Sequence, residues 1–425
     1  MSFARVAYST IVRALLPAAV VRLFWRGRRE PGYRAHVTER FGHYAQPRTG
    51  DPLIWIHAVS VGETRAAEPL VRALLARDPA CRVLLTHMTP TGRRTGEALF
   101  GETVMRAYLP YDAPGAVGRF LDHYRPLAGI VLETEVWPNL VHGCKVRGIP
   151  LYLLNARLSE KSLRGYLRVA ALMRDTFGAL TAVGAQTAGD AERLRRLGAN
   201  RVEVTGNLKF DVTPPAAQLE LGRSFRARYG RARILLAAST REGEEALIFD
   251  VLPRIPGDVL LVLVPRHPQR FDEVASLLAT RGIPYERRSG NAPLAPGTRV
   301  LLGDSMGEMF AYYAACDAAL IGGSLLPYGA QNLIEACAVG KPVLIGPHTY
   351  NFAEAADRAV EAGAALRVRD AEDFAAQATA LLSDPEKLKD MGARGLEFAQ
   401  AHRGATERVV RMLTALLPTR DPATG

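Results

Sequence analysis

The sequence predicts an α/β protein of two doubly wound parallel-sheet domains, with an apolar helix in front of them. Near-continuous apolar runs alternate with helical periods, which is typical of a parallel sheet that helices cover on both faces. The pattern pauses at the double proline of "DVTPPAAQLELGRS" and then starts again. With 425 residues, 48% of them hydrophobic, the chain exceeds one ordinary core and fits two domains.

The N-terminal segment is both apolar and basic. Residues 6–25 form an apolar run that Arg13, Pro17 and Arg22 interrupt, and a basic cluster follows the run. A spanning helix needs about 20 mainly apolar residues, and an arginine near its centre costs a few kcal/mol, so a full span is possible but not favoured. We expect residues 1–30 to form a helix that lies in or dips into an anionic membrane surface; the alternative is an ordinary amphipathic helix packed on the domain.

The remaining apolar runs divide the chain into two domains. We expect a first domain over residues 31–210, a linker over 211–228, and a second domain over 229–425 that ends in helix and a polar tail. The expected strands of the first domain are "LIWIHAVS", "CRVLLTHMT", "LAGIVLETEVW", "PLYLLNARL", "GALTAVGAQ" and "RVEVTGN". Those of the second domain are "ARILLAAST", "DVLLVLVPRHP", "TRVLLGDS", "CDAALIGGS" and "KPVLIGPH". Two such domains in tandem would place a ligand cleft between them, at the carboxyl ends of the strands.

Charge and cysteine usage exclude several classes of protein. The net charge is +11, and much of the excess lies in the first 45 residues, which favours an anionic surface as partner. The four cysteines form no C-x-x-C pair and no histidine and carboxylate cluster has metal spacing, so we expect a reducing compartment without a zinc site or disulfides. The P-loop and G-x-G-x-x-G patterns are absent, which argues against a kinase or a dehydrogenase.

Glu63 lies where the first strand gives way to a helix. The pattern S-x-x-E, a helix-capping box, follows three strands: Ser60 with Glu63, Ser239 with Glu242, and Ser305 with Glu308. Recurrence at such junctions is what capping alone would produce. Gly62 and the position after the first strand, which usually faces the ligand crevice, favour chemistry for Glu63. There we expect a base that the helix amides hold ionised, without a raised pKa.

Two further carboxylates lie in "ETEVWPNL", where Glu133 and Glu135 end another strand. Two residues apart on an extended chain, they would point to the same side, and their repulsion makes a purely structural role costly. The pattern therefore favours function. The alternative is that one of them binds the backbone or an arginine such as Arg157.

Two basic residues follow strands at positions that suit an anionic ligand. Lys209, in "TGNLKFD", could meet a substrate carboxylate or phosphate, although a solvated lysine is an equal alternative. Arg266, in "VPRHPQR", suits bidentate phosphate binding, whereas His267 beside it is more typical of a structural histidine.

A glycine-rich turn marks the second domain. Gly322, Gly323 and Ser324 end a strand, and Asn332 opens a helix, so bare amides and a positive helix end are expected to face a phosphate. Glu335, in that helix, could bind a ribose. This order of strand, glycines and helix with a glutamate indicates a nucleotide-sugar transferase.

Many motifs together carry a family resemblance. From about Trp25 to Phe352 the chain contains, in order, "SVGE", "THMTPTG", "YLPYD", "ETEVWPNL", "NARLS", "GNLKFD", "ASTREGEE", "VPRHPQRF", "GDSMGEM", "GGSL" and "GPHTYNF". The chain thereby resembles the 3-deoxy-D-manno-octulosonic acid (Kdo) transferases of lipopolysaccharide biosynthesis. The resemblance covers most of the chain, and agreement across so many motifs is far more specific than any single one.

The resemblance implies a GT-B fold, with an acceptor-binding first domain and a donor-binding second domain. It implies an inverting, metal-independent transfer of Kdo from CMP-Kdo to the tetraacylated lipid A precursor, on the cytoplasmic face of the inner membrane, without a cofactor or nucleic acid. By motif, Glu63 is the general base, and Glu133 and Lys209 stabilise the transition state. The implied CMP contacts are Pro265, Arg266, Met306, Gly307, Glu308, Asn332, Leu333, Ile334 and Glu335.

The chain departs from the family pattern at two places near the implied donor site. Arg241 and Gln331 stand where the family often has histidine, and a glutamine can replace one imidazole hydrogen bond but cannot take a charge. Two other classes remain as alternatives: another GT-B enzyme, such as a nucleotide-sugar epimerase or a different sugar transferase, and a lipid A binding protein without turnover.

Overall fold

The computed structural model describes residues 3–28, 30–47, 50–291, 293–401 and 403–416. The residues up to Asp211, together with those from Gly404 onward, form one compact unit, and Val212–Arg403 form another. Each unit contains a seven-stranded sheet whose neighbouring strands are all parallel. The predicted pair of doubly wound α/β domains is confirmed.

The first sheet has the strand order β3-β2-β1-β4-β5-β6-β7. Its strands are β1 Leu53–His57, β2 Arg82–His87, β3 Met105–Tyr108, β4 Ala128–Leu132, β5 Leu151–Ala156, β6 Ala182–Ala185 and β7 Val202–Val204. The chain builds outward from β1 in one direction and then, from β4, in the other. The order therefore reverses between β1 and β4, and the carboxyl ends of these two strands form the usual ligand crevice of an open parallel sheet.

Helices cover both faces of this sheet. The first eight helices of the chain, all in this unit, are α1 Phe3–Arg26, α2 Val61–Arg77, α3 Pro90–Phe100, α4 Pro114–Tyr124, α5 Pro138–Val146, α6 Glu160–Leu167, α7 Ala170–Phe177 and α8 Ala188–Arg196. The strands are buried on both faces, as their near-continuous apolar runs predict. Trp55 is fully buried within β1, and its indole N–H donates to Thr86 Oγ1 at 2.8 Å, so the one polar atom of this large side chain is satisfied.

Helix α1 packs on the first unit with its polar side. Arg5 Nη1 lies 2.7 Å from His142 Nδ1, and the Ser9 hydroxyl donates to Asn139 Oδ1 at 2.8 Å. The buried side chains of the helix are those of Arg5, Ser9 and Leu23, whereas most of its large apolar side chains are exposed. This is largely the reverse of an ordinary amphipathic helix, whose apolar stripe faces the core.

The second sheet has the order β10-β11-β9-β8-β12-β13-β14, with its reversal between β8 and β12. Its strands are β8 Arg233–Thr240, β9 Val259–Pro265, β10 Tyr285–Arg287, β11 Val300–Leu302, β12 Ala318–Ile321, β13 Val343–Ile345 and β14 Ala365–Arg367. Its helices are α9 Ala216–Tyr229, α10 Glu244–Val251, α11 Phe271–Thr280, α12 Met309–Ala315, α13 Ile334–Ala338, α14 Ala353–Glu361, α15 Ala371–Leu382 and α16 Pro385–Ala401.

Two predicted boundaries are wrong. The expected linker over 211–228 is mostly α9, because Phe225 and Tyr229 are buried in the second unit and the Phe225 ring lies 5.5 Å from that of Tyr312. The last described helix, α17 Ala405–Leu416, was expected in the second domain but belongs to the first unit. Its buried side chains join the core on the α2 face of the first sheet.

Three strands were not expected from the sequence: β3, β10 and β14. All three are short edge strands that are only partly buried and contain an arginine, so they give no apolar run. The predicted polar tail lies outside the described residues.

Candidate active site

Glu63 is held by hydrogen bonds to both of its carboxylate oxygens. The Val59 amide donates to Oε2 at 2.9 Å, and the Ser60 hydroxyl donates to Oε1 at 3.1 Å. A capping box would instead have Glu63 accept from the amide of Ser60, which is the N-cap residue of α2, and would have the Ser60 side chain accept from the helix. The predicted box is therefore wrong in detail, because both groups converge on the carboxylate and aim it.

The pKa of Glu63 differs from the sequence-based expectation. The pKa is raised to about 7, chiefly by burial; the hydrogen bonds from Val59 and Ser60 lower it, and the nearby charges of Glu133 and Glu135 raise it. The expectation of an unraised pKa is thus wrong, because removal of the carboxylate from water outweighs the stabilising donors. A carboxyl that titrates near neutral pH matches the requirement for a general base.

Glu133 occupies a strained turn directly after β4. Its φ of 59° is in the left-handed region, which non-glycine residues seldom adopt, and its amide donates to Leu154 O at 2.9 Å. Because β4 ends at Leu132, the expectation of Glu133 and Glu135 side by side on an extended strand is wrong. Glu135 Oε2 instead accepts from Trp137 Nε1 at 3.1 Å.

Lys209 forms an ion pair with Glu133. Its Nζ lies 3.0 Å from Glu133 Oε1, and Arg157 Nε lies 3.7 Å from Oε2 on the other side. The lysine side chain is 23% exposed, so it is not an ordinary solvated lysine. A Cβ atom built on Gly62 would lie 4.0 Å from the ammonium, which places Lys209 beside the neighbour of Glu63. The structure thus brings Glu63, Glu133 and Lys209 together at the carboxyl ends of the strands of the first sheet.

Two buried histidines under this site were not singled out from the sequence. His57 and His87 end β1 and β2, and burial lowers their pKa values to about 3 and about 4, so both are neutral at physiological pH. His87 Nδ1 donates to Ala58 O at 2.9 Å and thereby supports the loop that carries the Val59 amide. The sequence feature that could have identified them is a histidine at the end of an apolar strand.

The glycine turn of the second unit is arranged differently from the prediction. The amide of Gly323 donates to Glu244 Oε2 at 2.6 Å, and the amide of Leu325 donates to Oε1 at 2.9 Å. Gly322 donates to Ala238 O at 2.8 Å, and Ser324 is fully buried. The expectation that Gly322 and Gly323 offer bare amides to a phosphate is wrong, because a buried carboxylate and a strand carbonyl already accept from them.

The two glycines are nevertheless required by the backbone. A side chain on Gly322 would clash with the carbonyl of Ser239, and Gly323 has a φ of 70°. Ser239 itself has a φ of 58°, and α10 begins only at Glu244, so the predicted cap of Ser239 with Glu242 is not formed. Glu244 accepts from the Arg241 amide at 2.9 Å instead.

Arg241 and Gln331 flank this turn. A Cβ atom built on Gly323 would lie 3.3 Å from Gln331 Nε2 and 3.5 Å from Arg241 Cγ. The guanidinium carbon of Arg241 lies 4.7 Å from the centre of the Tyr328 ring. Arg241 and Gln331, the two departures from the family pattern, therefore lie close together beside Gly323, where they provide a cation and an amide donor.

The predicted contacts from "GDSMGEM" lie on the loop after β11. Met306 is 59% exposed, and Gly307 has a φ of 78°. Glu308 accepts from the Ser305 hydroxyl at 2.6 Å and from Arg288 Nη2 at 3.1 Å. Because Glu308 is itself the N-cap residue of α12, this third S-x-x-E pattern is also not a capping box.

The remaining predicted donor residues lie at two strand ends. Pro265 ends β9, and the Arg266 amide donates to Thr240 O at 2.9 Å. Asn332 Oδ1 accepts from the Ile334 amide at 3.0 Å, and its Nδ2 donates to Glu335 Oε1 at 3.3 Å. The side chains of Leu333 and Ile334 are fully buried, so only their backbone is available to a ligand.

Among the described residues, no group of three His, Cys, Asp or Glu side chains is placed to hold a metal ion. All four cysteines are free and buried.

Comparison with known proteins gives consistent results. A family model described as 3-Deoxy-D-manno-octulosonic-acid transferase (kdotransferase) matches residues 35–212, and one described as Glycosyl transferases group 1 matches residues 284–398. The chain is similar to the 3-deoxy-D-manno-octulosonic acid transferase of Bordetella pertussis, with 45% identity over 96% of this chain and 98% of that protein. The enzyme of the same name from Haemophilus influenzae is 38% identical, over 92% and 93% of the two chains.

Solved structures of low identity share the fold. MurG of Acinetobacter baumannii has a TM-score of 0.54 and 14% identity, and covers 87% of this chain and 100% of its own. The UDP-GlcNAc 2-epimerase from Neisseria meningitidis has the same TM-score and 16% identity, over 86% and 100%. These likenesses confirm the predicted GT-B fold. The 45% identity to the Bordetella enzyme over nearly the whole length, together with the family-model match, shows that this glycosyltransferase belongs to the 3-deoxy-D-manno-octulosonic acid transferase family.

Proposed function

We propose that the protein transfers Kdo from CMP-Kdo to a hydroxyl of the tetraacylated lipid A precursor, with inversion at the anomeric carbon and without a metal ion. The observation that carries the proposal is the geometry around Glu63. A buried carboxylate with a pKa of about 7 is aimed by two hydrogen bonds, beside an ion pair of Glu133 and Lys209. Such a site suits removal of a hydroxyl proton at neutral pH.

In the proposed reaction Glu63 takes the proton of the acceptor hydroxyl. Val59 and Ser60 each donate to a different oxygen of the carboxylate, so lone pairs on both oxygens remain for the hydroxyl. The acceptor oxygen then forms a bond to the anomeric carbon of Kdo. The bond from that carbon to the phosphate oxygen breaks, and CMP leaves with the electron pair.

Glu133 and Lys209 have complementary charges for this step. Kdo is a ketose whose carboxylate adjoins the anomeric carbon, so positive charge develops beside a fixed negative charge as CMP leaves. We assign the developing positive charge to Glu133 and the Kdo carboxylate to Lys209. Their 3.0 Å contact and the low exposure of both side chains support the assignment, because charges act more strongly in a site that excludes water.

We assign CMP to the second unit. Its single phosphate leaves with less charge than a diphosphate would, and arginine can balance that charge without a metal ion. Arg266 follows β9, and Arg241 lies with Gln331 beside Gly323. The proposed nucleotide contacts also include the exposed Met306.

We further propose that α1 binds the anionic cytoplasmic face of the inner membrane and lies along it. The helix is long and apolar enough to cross a membrane by composition, and the outward position of its apolar side chains supports contact with lipid. Polar contacts of Arg5 and Ser9 hold its first turns on the first unit, and Arg34 donates to Phe24 O at 3.3 Å near its other end. A helix attached at both ends is better suited to lie on a bilayer than to span it.

The direct test uses the full-length protein with CMP-Kdo and the lipid A precursor, with and without a chelator. We expect CMP release and a lipid mass increase of one or more Kdo residues in both conditions. NMR should show the transferred Kdo in the anomeric configuration opposite to that in CMP-Kdo. Glu63→Gln, which keeps the size of the side chain but cannot take a proton, is the inactive control. A folded wild-type protein that transfers no sugar would contradict the proposal, as would isomerisation of a nucleotide sugar without transfer.

A further inference from the structure

We propose that Asn155 is a positioning residue that fixes Lys209 beside Glu133; this inference rests on the function proposed above. Two consecutive residues of β5 contact the two segments that carry the ion pair. The carbonyl of Leu154 accepts from the Glu133 amide at 2.9 Å. The Asn155 side-chain oxygen accepts from the amide of Leu208, the residue before Lys209, at 2.9 Å.

The backbone of Asn155 is adapted to this contact. Asn155 is fully buried and has a φ of 53°, in the left-handed region. The pairing register between β5 and β6 shifts between Leu153 and Ala156, so the irregularity falls around Asn155. Asparagine tolerates this conformation better than other residues with a side chain, and a bulge re-aims side chains at a strand end.

A second set of amide side chains supports the same loop. Gln186 Nε2 donates to Asn155 O at 2.9 Å, and Asn207 Nδ2 donates to Gln186 Oε1 at 3.0 Å. Asn207 Oδ1 in turn accepts from the Lys209 amide at 2.9 Å. The amides of Leu208 and Lys209 are thus each fixed by a side chain, from Asn155 within β5 and from Asn207 after β7.

The arrangement costs stability in a way that packing alone does not explain. The Asn155 Nδ2 atom is buried and has no hydrogen-bond partner within the part of the chain that the structure describes. An unmatched donor and a left-handed backbone are both unfavourable, and such features persist where the geometry serves the reaction. Lysine has a long, flexible side chain, so fixing its backbone limits where the ammonium can lie relative to Glu133.

The test compares Asn155→Gly with Asn155→Asp. Glycine adopts the left-handed conformation freely but removes the oxygen that accepts from Leu208, whereas aspartate keeps that oxygen. For the glycine variant we expect kcat to fall at least about tenfold, with the KM values of both substrates within about twofold of wild type. Aspartate should recover most of kcat. Asn200→Gly, at an exposed asparagine of the same unit, is the control and should be fully active.

A second readout follows Lys209 directly and does not require turnover. The rate at which an amine-reactive reagent modifies Lys209, measured by mass spectrometry of the folded protein, should rise in Asn155→Gly and stay at the wild-type rate in Asn155→Asp. If the glycine variant does not fold, Asn207→Ala, which removes the bond to the Lys209 amide, should show the same changes in kcat and labelling.

Three outcomes would overturn the inference. The first is a wild-type kcat in the folded Asn155→Gly variant, and the second is an unchanged rate of Lys209 labelling in the same variant. If Asn155→Gly does not fold, the same two outcomes are judged in Asn207→Ala. The third is an aspartate variant that folds but is as slow as the glycine variant, because then the oxygen is not what matters. A wild-type protein without transfer activity would refute the proposed function instead, and the labelling would still decide whether Asn155 holds Lys209.

Discussion

The amide of Val59 donates a 2.9 Å hydrogen bond to Glu63 Oε2 in a place where burial disfavours the charge of that carboxylate. The two effects oppose each other, and burial is the larger. The hydrogen bond therefore does not keep Glu63 ionised at all pH values, but it does fix the direction of the carboxylate. A base that is aimed and yet titrates near neutral pH has consequences for both rate and stability.

The first prediction concerns the pH dependence of transfer. The acidic limb of kcat/KM should have an apparent pKa of about 7, because Glu63 must be ionised to accept the proton. The charge of Glu135 helps to raise the pKa of Glu63, so Glu135→Gln should move this limb to lower pH. Glutamine keeps an oxygen that can accept from Trp137 Nε1. Glu68→Gln, on the same helix as Glu63, is the control, and an unmoved limb in Glu135→Gln would contradict the prediction.

The second prediction concerns stability. A carboxyl whose pKa is raised in the folded state binds its proton more tightly there than in the unfolded chain, so it weakens folding as pH rises from its ordinary range to about 7. Glu63→Gln removes this effect along with activity. The free energy of unfolding of Glu63→Gln minus that of the wild type should therefore increase as pH rises from 5 to 8, by up to roughly 3 kcal/mol. Urea unfolding at the two pH values measures the change, and exposed Glu242→Gln should show none.

The sequence was sufficient for the overall fold because long apolar runs report burial on both faces of a sheet. It did not reveal where α17 packs, since the order of elements along a chain does not show that the last helix returns to the first unit. It also did not reveal three of the four edge strands, because β3, β10 and β14 are short, only partly buried and each contain an arginine. Pattern therefore predicts the centre of each sheet better than its margins.

The candidate site shows a similar division. The sequence predicts that Glu63, Glu133 and Lys209 follow strands and lie close together, because the carboxyl ends of parallel strands lie on the same side of a sheet. The pKa of Glu63 could not be predicted from the sequence, since it depends on burial by residues distant along the chain. The sequence also could not show that the Gly323 amide donates to Glu244, because Glu244 lies 79 positions away along the chain.

The third prediction concerns Glu244 in the second unit. Its carboxylate accepts from the amides of Arg241, Gly323 and Leu325, so Glu244→Ala would leave two buried donors and one half-buried donor unpaired. At about 1 to 3 kcal/mol for each buried donor, the free energy of unfolding should fall by at least roughly 2 kcal/mol, and CMP should bind more weakly. The matched control is Glu242→Ala, two residues away and exposed, which should change stability by less than about 0.5 kcal/mol. Equal effects of the two variants would count against this role of Glu244.

The fourth prediction concerns Arg241. If its guanidinium meets the phosphate of the donor, Arg241→Ala should weaken CMP binding about tenfold or more, since a charge-assisted hydrogen bond contributes roughly 1.5 to 3 kcal/mol. Calorimetric titration with CMP measures the loss, which should shrink at high salt. Arg369→Ala, at an exposed arginine of the same unit that pairs with Asp373, is the control. Unchanged affinity for CMP in Arg241→Ala would exclude this contact.

The last prediction concerns the outward face of α1. Ile11 and Leu15 are 58% and 59% exposed, so replacing both with serine removes apolar surface without opening the core. Each buried methylene contributes about 0.8 kcal/mol to partitioning into lipid, so the double variant should bind vesicles at least about tenfold more weakly. Flotation with vesicles that contain anionic lipid measures binding. Leu396→Ser, at an exposed leucine of the second unit, should bind as wild type does. Circular dichroism should show both variants folded. If the double variant bound vesicles normally, lipid would not contact this face, and the reversed polarity of α1 would need another explanation.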